Sequence, residues 1–252
     1  MYLVQEWCSV FQLELNPSKS EHISFYQNNE INYYIGSTKI GTVDHIKDLG
    51  ITVNNNLKWN SHVSKLSSKA SSISYLILRC FNTPCKTSYM KSFKCYVRPL
   101  LEYNCTIWNT PKICDIKTIE SVQRRFTRKL LQKLNTPFSS YIDRLRILNI
   151  DSLELRRLHY DLILLYKILH KLIDLSFHTF FKPLITQYNL RHHKFSLCKQ
   201  PLAKTYVLNH SFKYRIVNAW NSLPSDVVES PSLIIFKQKL KYLDLQQFCH
   251  LL

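Results

Sequence analysis

The sequence predicts an α+β protein, predominantly α, with a small antiparallel β region near the N-terminus followed by packed helices. Two observations carry this expectation. Apolar residues alternate in short runs before about residue 60 and recur at i, i+3, i+4 spacing after it. Turn-forming pairs crowd the first part, whereas helix-capping signals fill the second. At 252 residues and 45% hydrophobic side chains, the chain is long enough to bury a substantial core and too apolar for disorder.

Residues 2–15 read as a helix carrying Leu3, Trp7, Val10 and Phe11, stopped at Asn16-Pro17. Three β-type runs follow at 22–26, 31–35 and 46–53, with Asn28-Asn29, Gly36-Ser37 and Gly41 as turns. From Asn60 onward the text is helical almost throughout. Thr83-Pro84 and Thr136-Pro137 fit an N-cap followed by proline at the first helical position, and Pro99 should kink or end the helix opened at Pro84. At 100° per residue, Val122, Phe126, Leu130 and Leu134 fall in one stripe, with Arg124, Arg125 and Arg128 opposite. Asp151-Ser152-Leu153-Glu154 fits a capping box, with Ile150 and Leu155 placed for a hydrophobic staple. The helix it opens runs to about Asp174, with Leu158, Leu162, Leu165, Leu169 and Leu172 at core spacing. Residues 182–211 read as a loose connection, and Ser230-Pro231 caps a last helix ending near Leu243. The expected segments are therefore 1–59, 60–181 and 182–252.

Charge is unevenly placed. The formal net charge is +17; residues 1–60 hold four Lys/Arg against six Asp/Glu, and residues 61–252 hold thirty against eleven, a balance of +19. A positive field of that size favours a polyanion, nucleic acid before an anionic membrane. A protein that is basic with no polyanion partner is the alternative.

The eight cysteines (8, 80, 85, 95, 105, 114, 198 and 249) form no Cys-x-x-Cys, and none lines up with a paired His motif, so zinc is not indicated. Cys80, Cys95 and Cys105 sit in apolar helical text and are expected as buried, reduced thiols. His192-His193 with Cys198 are partial ligands at most, in a solvated loop. The first residues lack a basic region and a long apolar run, so no signal peptide is expected, and no run approaches eighteen apolar residues. The expected compartment is intracellular, nucleus or cytoplasm, not secreted. The three glycines all lie by position 50, so neither a Walker loop, a dinucleotide fingerprint nor a nucleophile elbow can be built.

Four blocks of sequence stand in a fixed order. The first holds Trp7-Cys8, Leu13 and Leu15-Asn16-Pro17-Ser18-Lys19. The second holds Lys47-Asp48-Leu49-Gly50-Ile51, then Leu57, Trp59 and His62. The third holds Arg98-Pro99-Leu100-Leu101-Glu102-Tyr103, Trp108 and Ile119-Glu120-Ser121-Val122-Gln123-Arg124-Arg125-Phe126-Thr127-Arg128. The fourth holds Phe212, Arg215, Trp220-Asn221-Ser222-Leu223-Pro224, Val227-Val228, Ser232-Leu233 and Phe236-Lys237. Together they resemble the region behind the polymerase core in non-LTR (LINE-type, jockey- and CR1-like) retrotransposon reverse transcriptases, over nearly the whole chain. The resemblance implies a palm remnant with a primer-grip-like hairpin in 1–59, a helical thumb-like and connection region in 60–181, and a loop with a helical segment in 182–252.

It also implies a function of holding nucleic acid without chemistry. The family's aromatic-Ala-Asp-Asp turn supplies carboxylates for two metal ions, Mg2+ in the parent enzyme. This chain has no two adjacent acidic residues, so it is expected to be inactive and to carry no cofactor. The resemblance and the charge together give Lys47, Gly50, Arg124, Arg125, Arg128, Lys129, Arg156 and Arg157 as candidate nucleic-acid contacts. Asp48 stands where relatives often carry an aromatic. Arg156 and Arg157 fall in a helix's first turn, where the macrodipole disfavours cations, which favours an external anion unless Glu154 and Asp161 offset it. Expected partners are RNA or DNA, as duplex or hybrid, and the missing polymerase half, with no membrane. The competing reading is a basic helical scaffold whose face meets an acidic protein or nothing.

Overall fold

The computed structural model describes residues 2–25, 31–81, 85–184, 195–199, 201 and 203–251. The Asn28-Asn29 turn, the Thr83-Pro84 cap and His192-His193 lie outside these. Helix accounts for 57% and strand for 8%, so the fold is α+β and predominantly α. The chain forms two compact units, Met1–His62 and Val63–Leu252.

In the first unit, α1 (Tyr2–Val10) is shorter than the expected 2–15 because Gln12 takes φ 54 and turns the chain. Asn16 then caps a 3-10 turn, Pro17–Lys19, its side chain accepting from the Ser18 N–H at 3.0 Å. Six short strands follow: β1 (Glu21–His22), β2 (Tyr34–Ile35), β3 (Thr38–Lys39), β4 (Gly41–Thr42), β5 (His45–Asp48) and β6 (Ile51–Asn54). β2–β3 and β5–β6 are antiparallel, while the two-residue β1–β4 pair is parallel. The run 46–53, read as one strand, is a hairpin. Leu49 and Gly50 both have positive φ, 44 and 87, and form the two-residue turn whose twist suits a tight hairpin. Asp48 faces Ile51 and His45 faces Asn54, and the buried Thr52 N–H donates to His62 Nδ1 at 3.2 Å.

The second unit is helical. α2 (Asn60–Cys80) begins at the end of the first unit, and α3 (Lys86–Ser92) follows it. Pro99, without an N–H, sits in the first turn of α4 (Arg98–Glu102). The helix before it widens into a π turn, Phe93–Val97, whose bond runs from the Arg98 N–H to the Phe93 carbonyl, so the proline marks a bulge rather than a clean break. α5 (Cys105–Trp108) ends on a fully buried tryptophan whose indole N–H donates to the Tyr103 carbonyl at 2.7 Å.

α6 (Ile113–Lys133) buries Val122, Phe126 and Leu130, with Phe93 stacked on Phe126 at 4.4 Å between ring centres. α7 (Tyr141–Leu148) is capped by Ser140, not opened at Thr136-Pro137 as expected, because α6 ends in a Schellman motif that occupies Thr136: its N–H bonds the Leu131 carbonyl. α8 (Leu153–Leu169) stops before the expected Asp174. Lys171 at φ 53 reverses the chain, and Leu172, expected in the core, is exposed. After α9 (Phe177–Phe180) and α10 (Tyr206–Asn209) come α11 (Phe212–Asn221), α12 (Ser225–Val228) and α13 (Leu233–Leu240). The cap of α13 is Ser232, whose hydroxyl accepts from the Ile235 N–H, and not Ser230.

One core joins residues on both sides of position 181. Leu162, Leu165 and Tyr166 of α8 pack with Ile216, Val217 and Trp220 of α11 and Phe236 and Leu240 of α13. Cys105 is buried, but Cys80 and Cys95 are exposed, correcting the expectation for both: Cys80 is the last residue of α2, and Cys95 lies across its helix from the buried Phe93 and Val97. All eight thiols are free.

Candidate nucleic-acid interface

The apolar stripe of α6 dictates where its cations go. Burying Val122, Phe126 and Leu130 turns Arg125, Arg128 and Lys129 outward, and all three are exposed. Arg125 is braced: Nη2 donates to Ser71 Oγ of α2 at 3.1 Å and Nε to the Ser121 carbonyl at 3.3 Å. Lys129 Nζ lies 5.6 Å from the centre of the Tyr75 ring of α2. Arg128 is exposed and makes no hydrogen bond among the described residues.

Arg124 departs from this face. Its guanidinium lies over the Tyr141 ring at 4.5 Å and reaches the Leu251 carbonyl at 3.4 Å, so it fastens α7 and the segment after α13. At 100° per residue it stands at the edge of the polar side, next to the helices that cover the stripe.

Arg156 and Arg157 are not presented to an external anion. Arg156 makes a bidentate pair with Glu102, through Nε and, at 3.0 Å, through Nη2. Burial lowers the Arg156 pKa, but the hydrogen bond and charge of Glu102 outweigh it and leave the net shift upward. Arg157 is 2% exposed, and its guanidinium has no hydrogen-bond partner among the described residues. Burial pushes its pKa down against the fields of Glu120, Cys105, Glu154 and Asp161. The offset is thus internal, although Glu102 and Glu120 supply much of it.

Glu120 caps α8 from outside the helix. Its two carboxylate oxygens accept the N–H groups of Leu153 and Glu154, each at 3.2 Å, and Oε1 also accepts the Tyr141 hydroxyl. Burial raises its pKa despite these donors. Ser152 is the N-cap, accepting from the Leu155 N–H at 3.1 Å. Glu154 does not close a capping box: it accepts from the His250 and Leu251 N–H groups at 2.7 and 3.1 Å.

Residues of the third and fourth sequence blocks converge on α8. Glu102 takes Arg156 and the Tyr160 hydroxyl, the latter at 2.8 Å. Asp161 takes Arg215 through both oxygens at 2.8 Å and Asn109 at 3.0 Å, while Arg215 also donates to the Thr106 carbonyl at 2.7 Å. Trp220 donates to the Phe195 carbonyl, and the Asn221 amide bonds the Leu197 N–H and carbonyl at 2.8 Å each. These residues hold the frame together.

Lys47 and Gly50 lie in the first unit, on the β5–β6 hairpin. Lys47 is exposed opposite Thr52, and Gly50 forms the turn. Among the described residues no group of three or more His, Cys, Asp or Glu side chains is placed to hold a metal ion. The donor set that two Mg2+ ions require does not fit these residues, and no catalytic step follows from them.

A groove of about 400 Å3 runs beside the outward cations. Ser71, Ser72, Ser74, Tyr75 and Leu78 of α2 line it with Val122, Arg125, Phe126 and Lys129 of α6. The α2 residues were absent from the sequence-derived candidates. Their signal was a run of serines inside a helix, where serine is a poor former and needs another reason.

No family model matches the chain, and no solved structure matches it. The chain is 29% identical over 140 residues to the uncharacterized protein B0403.1 of Caenorhabditis elegans, covering 56% of this chain and 69% of that protein. Among the described residues no helix is long and apolar enough to cross a membrane.

Proposed function

We propose that this chain is a nucleic-acid-holding part of a non-LTR retrotransposon reverse transcriptase, an RNA-directed DNA polymerase, without its catalytic carboxylates. It grips an RNA–DNA hybrid or duplex through the outer face of α6. The observation that carries the reading is the exposed set Arg125, Arg128 and Lys129, one of them braced by α2, in a unit whose charge is strongly positive. The four ordered sequence blocks support the family assignment, and the +19 balance of residues 61–252 supports a polyanion partner. The mechanism is neutralisation of phosphates with release of their counterions, which needs no reacting group.

The test is equilibrium binding of an RNA–DNA hybrid over a range of salt. Log affinity should fall steeply with log salt, and replacing Arg125, Arg128 and Lys129 by Ala should flatten the slope by roughly 1 for each phosphate that is no longer neutralised. The three side chains lie on the solvent side, so the melting temperature should hardly change. An unchanged slope removes this helix as the interface. Template-dependent nucleotide incorporation by the purified chain would overturn the proposed inactivity. The competing scaffold reading predicts no hybrid binding at moderate salt.

A further inference from the structure

We infer that the groove between α2 and α6 receives an unpaired nucleotide of a single strand, with its base on Tyr75 and its phosphate on Arg125 and Lys129. This rests on the nucleic-acid reading above and adds a second class of ligand to it. Size decides first. A groove of about 400 Å3 has room for one splayed nucleotide, whereas a duplex, whose major groove alone is about 12 Å wide, can only lie across it.

Chemistry decides next. The floor is apolar, made by Val122 and Phe126, each 1% exposed, with Leu78 beside them. Tyr75 stands among the lining residues at 57% exposure, an aromatic ring of the kind on which any base can stack. Arg125 and Lys129 flank the same opening, and Arg125 is held in place by Ser71, so little freedom remains for binding to remove. Ser74 is 5% exposed, and its hydroxyl has no hydrogen-bond partner among the described residues. A buried hydroxyl left unpaired is costly, and a ligand edge at this groove would supply the missing partner. An aromatic ring, a braced arginine with a lysine beside it and a polar group in need of a partner make a stacking site for a single strand. A duplex would use the cations alone.

Fluorescence anisotropy with labelled oligouridylate and oligodeoxyuridylate of about a dozen nucleotides, and with an RNA–DNA hybrid of the same length, tests this. Tyr75→Ala should weaken both single strands about tenfold while leaving the hybrid unchanged, and Tyr75→Phe should bind like the parent. Any preference between the two single strands reports which sugar the groove takes. Equal loss on strands and hybrid, or no loss on the strands, overturns the inference. If the parent chain binds hybrid but no single strand, the groove site is wrong and the duplex reading stands. If it binds neither, both are wrong. Tyr75 is exposed, so an unchanged circular-dichroism melt confirms that each variant is folded.

Discussion

Arg156 and Arg157 are neighbours in sequence and in one helical turn, yet they are stabilised differently. Arg156 is fixed by direct bonds to Glu102, 54 positions away, whereas Arg157 is balanced by carboxylates that do not touch it. The sequence shows that two cations sit at an unfavourable helix end, which favoured an external anion; the structure answers Arg156 from within, through Glu102, and buries Arg157. Which acid answers is set by packing of α4 and α6 on α8, and no local pattern reports that. Glu102→Ala leaves Arg156 and the Tyr160 hydroxyl without their acceptor and should cost on the order of 3 kcal/mol, read from the urea midpoint. The double variant with Arg156→Met should recover part of that loss. Beside them, burial lowers the His159 pKa below its ordinary 6.5, with Asp151 opposing and Arg156 adding. The unfolded chain then binds this proton more readily than the folded one. Stability is full above about pH 6.5 and declines as pH falls toward the folded value. His159→Leu should remove that share of the acid loss, so the variant's urea midpoint relative to the parent's should be higher near pH 5.5 than near pH 7.5.

At the scale of elements, the shortage of glycine explains how the helices stop. All three glycines lie by position 50, so the second unit turns its chain with other residues in the left-handed region: Asn104, Asn135, Asn149 and Lys171. Asn tolerates that conformation through its short polar side chain, whereas Lys171 at φ 53 gains nothing from its own. Lys171→Gly should therefore stabilise the protein by about 1 kcal/mol, seen as a raised melting temperature. At the other end of α8, Ser152→Ala should destabilise by about 1 kcal/mol, since its hydroxyl satisfies the Leu155 N–H. The existence of α6 and α8 was legible because their apolar stripes are long. Their ends were legible only to a few residues. The stop signals here are asparagines and a lysine, which elsewhere in the same chain sit in ordinary conformations. The outward cations of α6 were legible from periodicity alone, but the groove beside them was not, because it needs α2 at a sequence distance of about fifty residues.

Across the whole molecule, the two units rest on different amounts of buried surface. The second has Trp108 and Trp220 fully buried, Trp220 within the core cluster of α8, α11 and α13. The first has strands of two to four residues in three separate two-stranded pairs, and Leu3, Trp7, Val10 and Phe11 of its N-terminal stretch are more than half exposed. A two-stranded pair leaves each strand one open edge and is marginal by itself, so its amides exchange through small local openings. Those of α8 open only when the core around Leu162 and Leu165 is lost. Native-state hydrogen exchange should accordingly find the β5–β6 hairpin bonds, which pair His45 to Asn54 and Asp48 to Ile51, orders of magnitude less protected than the amides of Leu162 to Tyr166. Equal or greater protection in the hairpin would mean that the first unit has stabilising contacts its short strands do not account for. In that case added urea should release the hairpin and α8 together rather than in sequence.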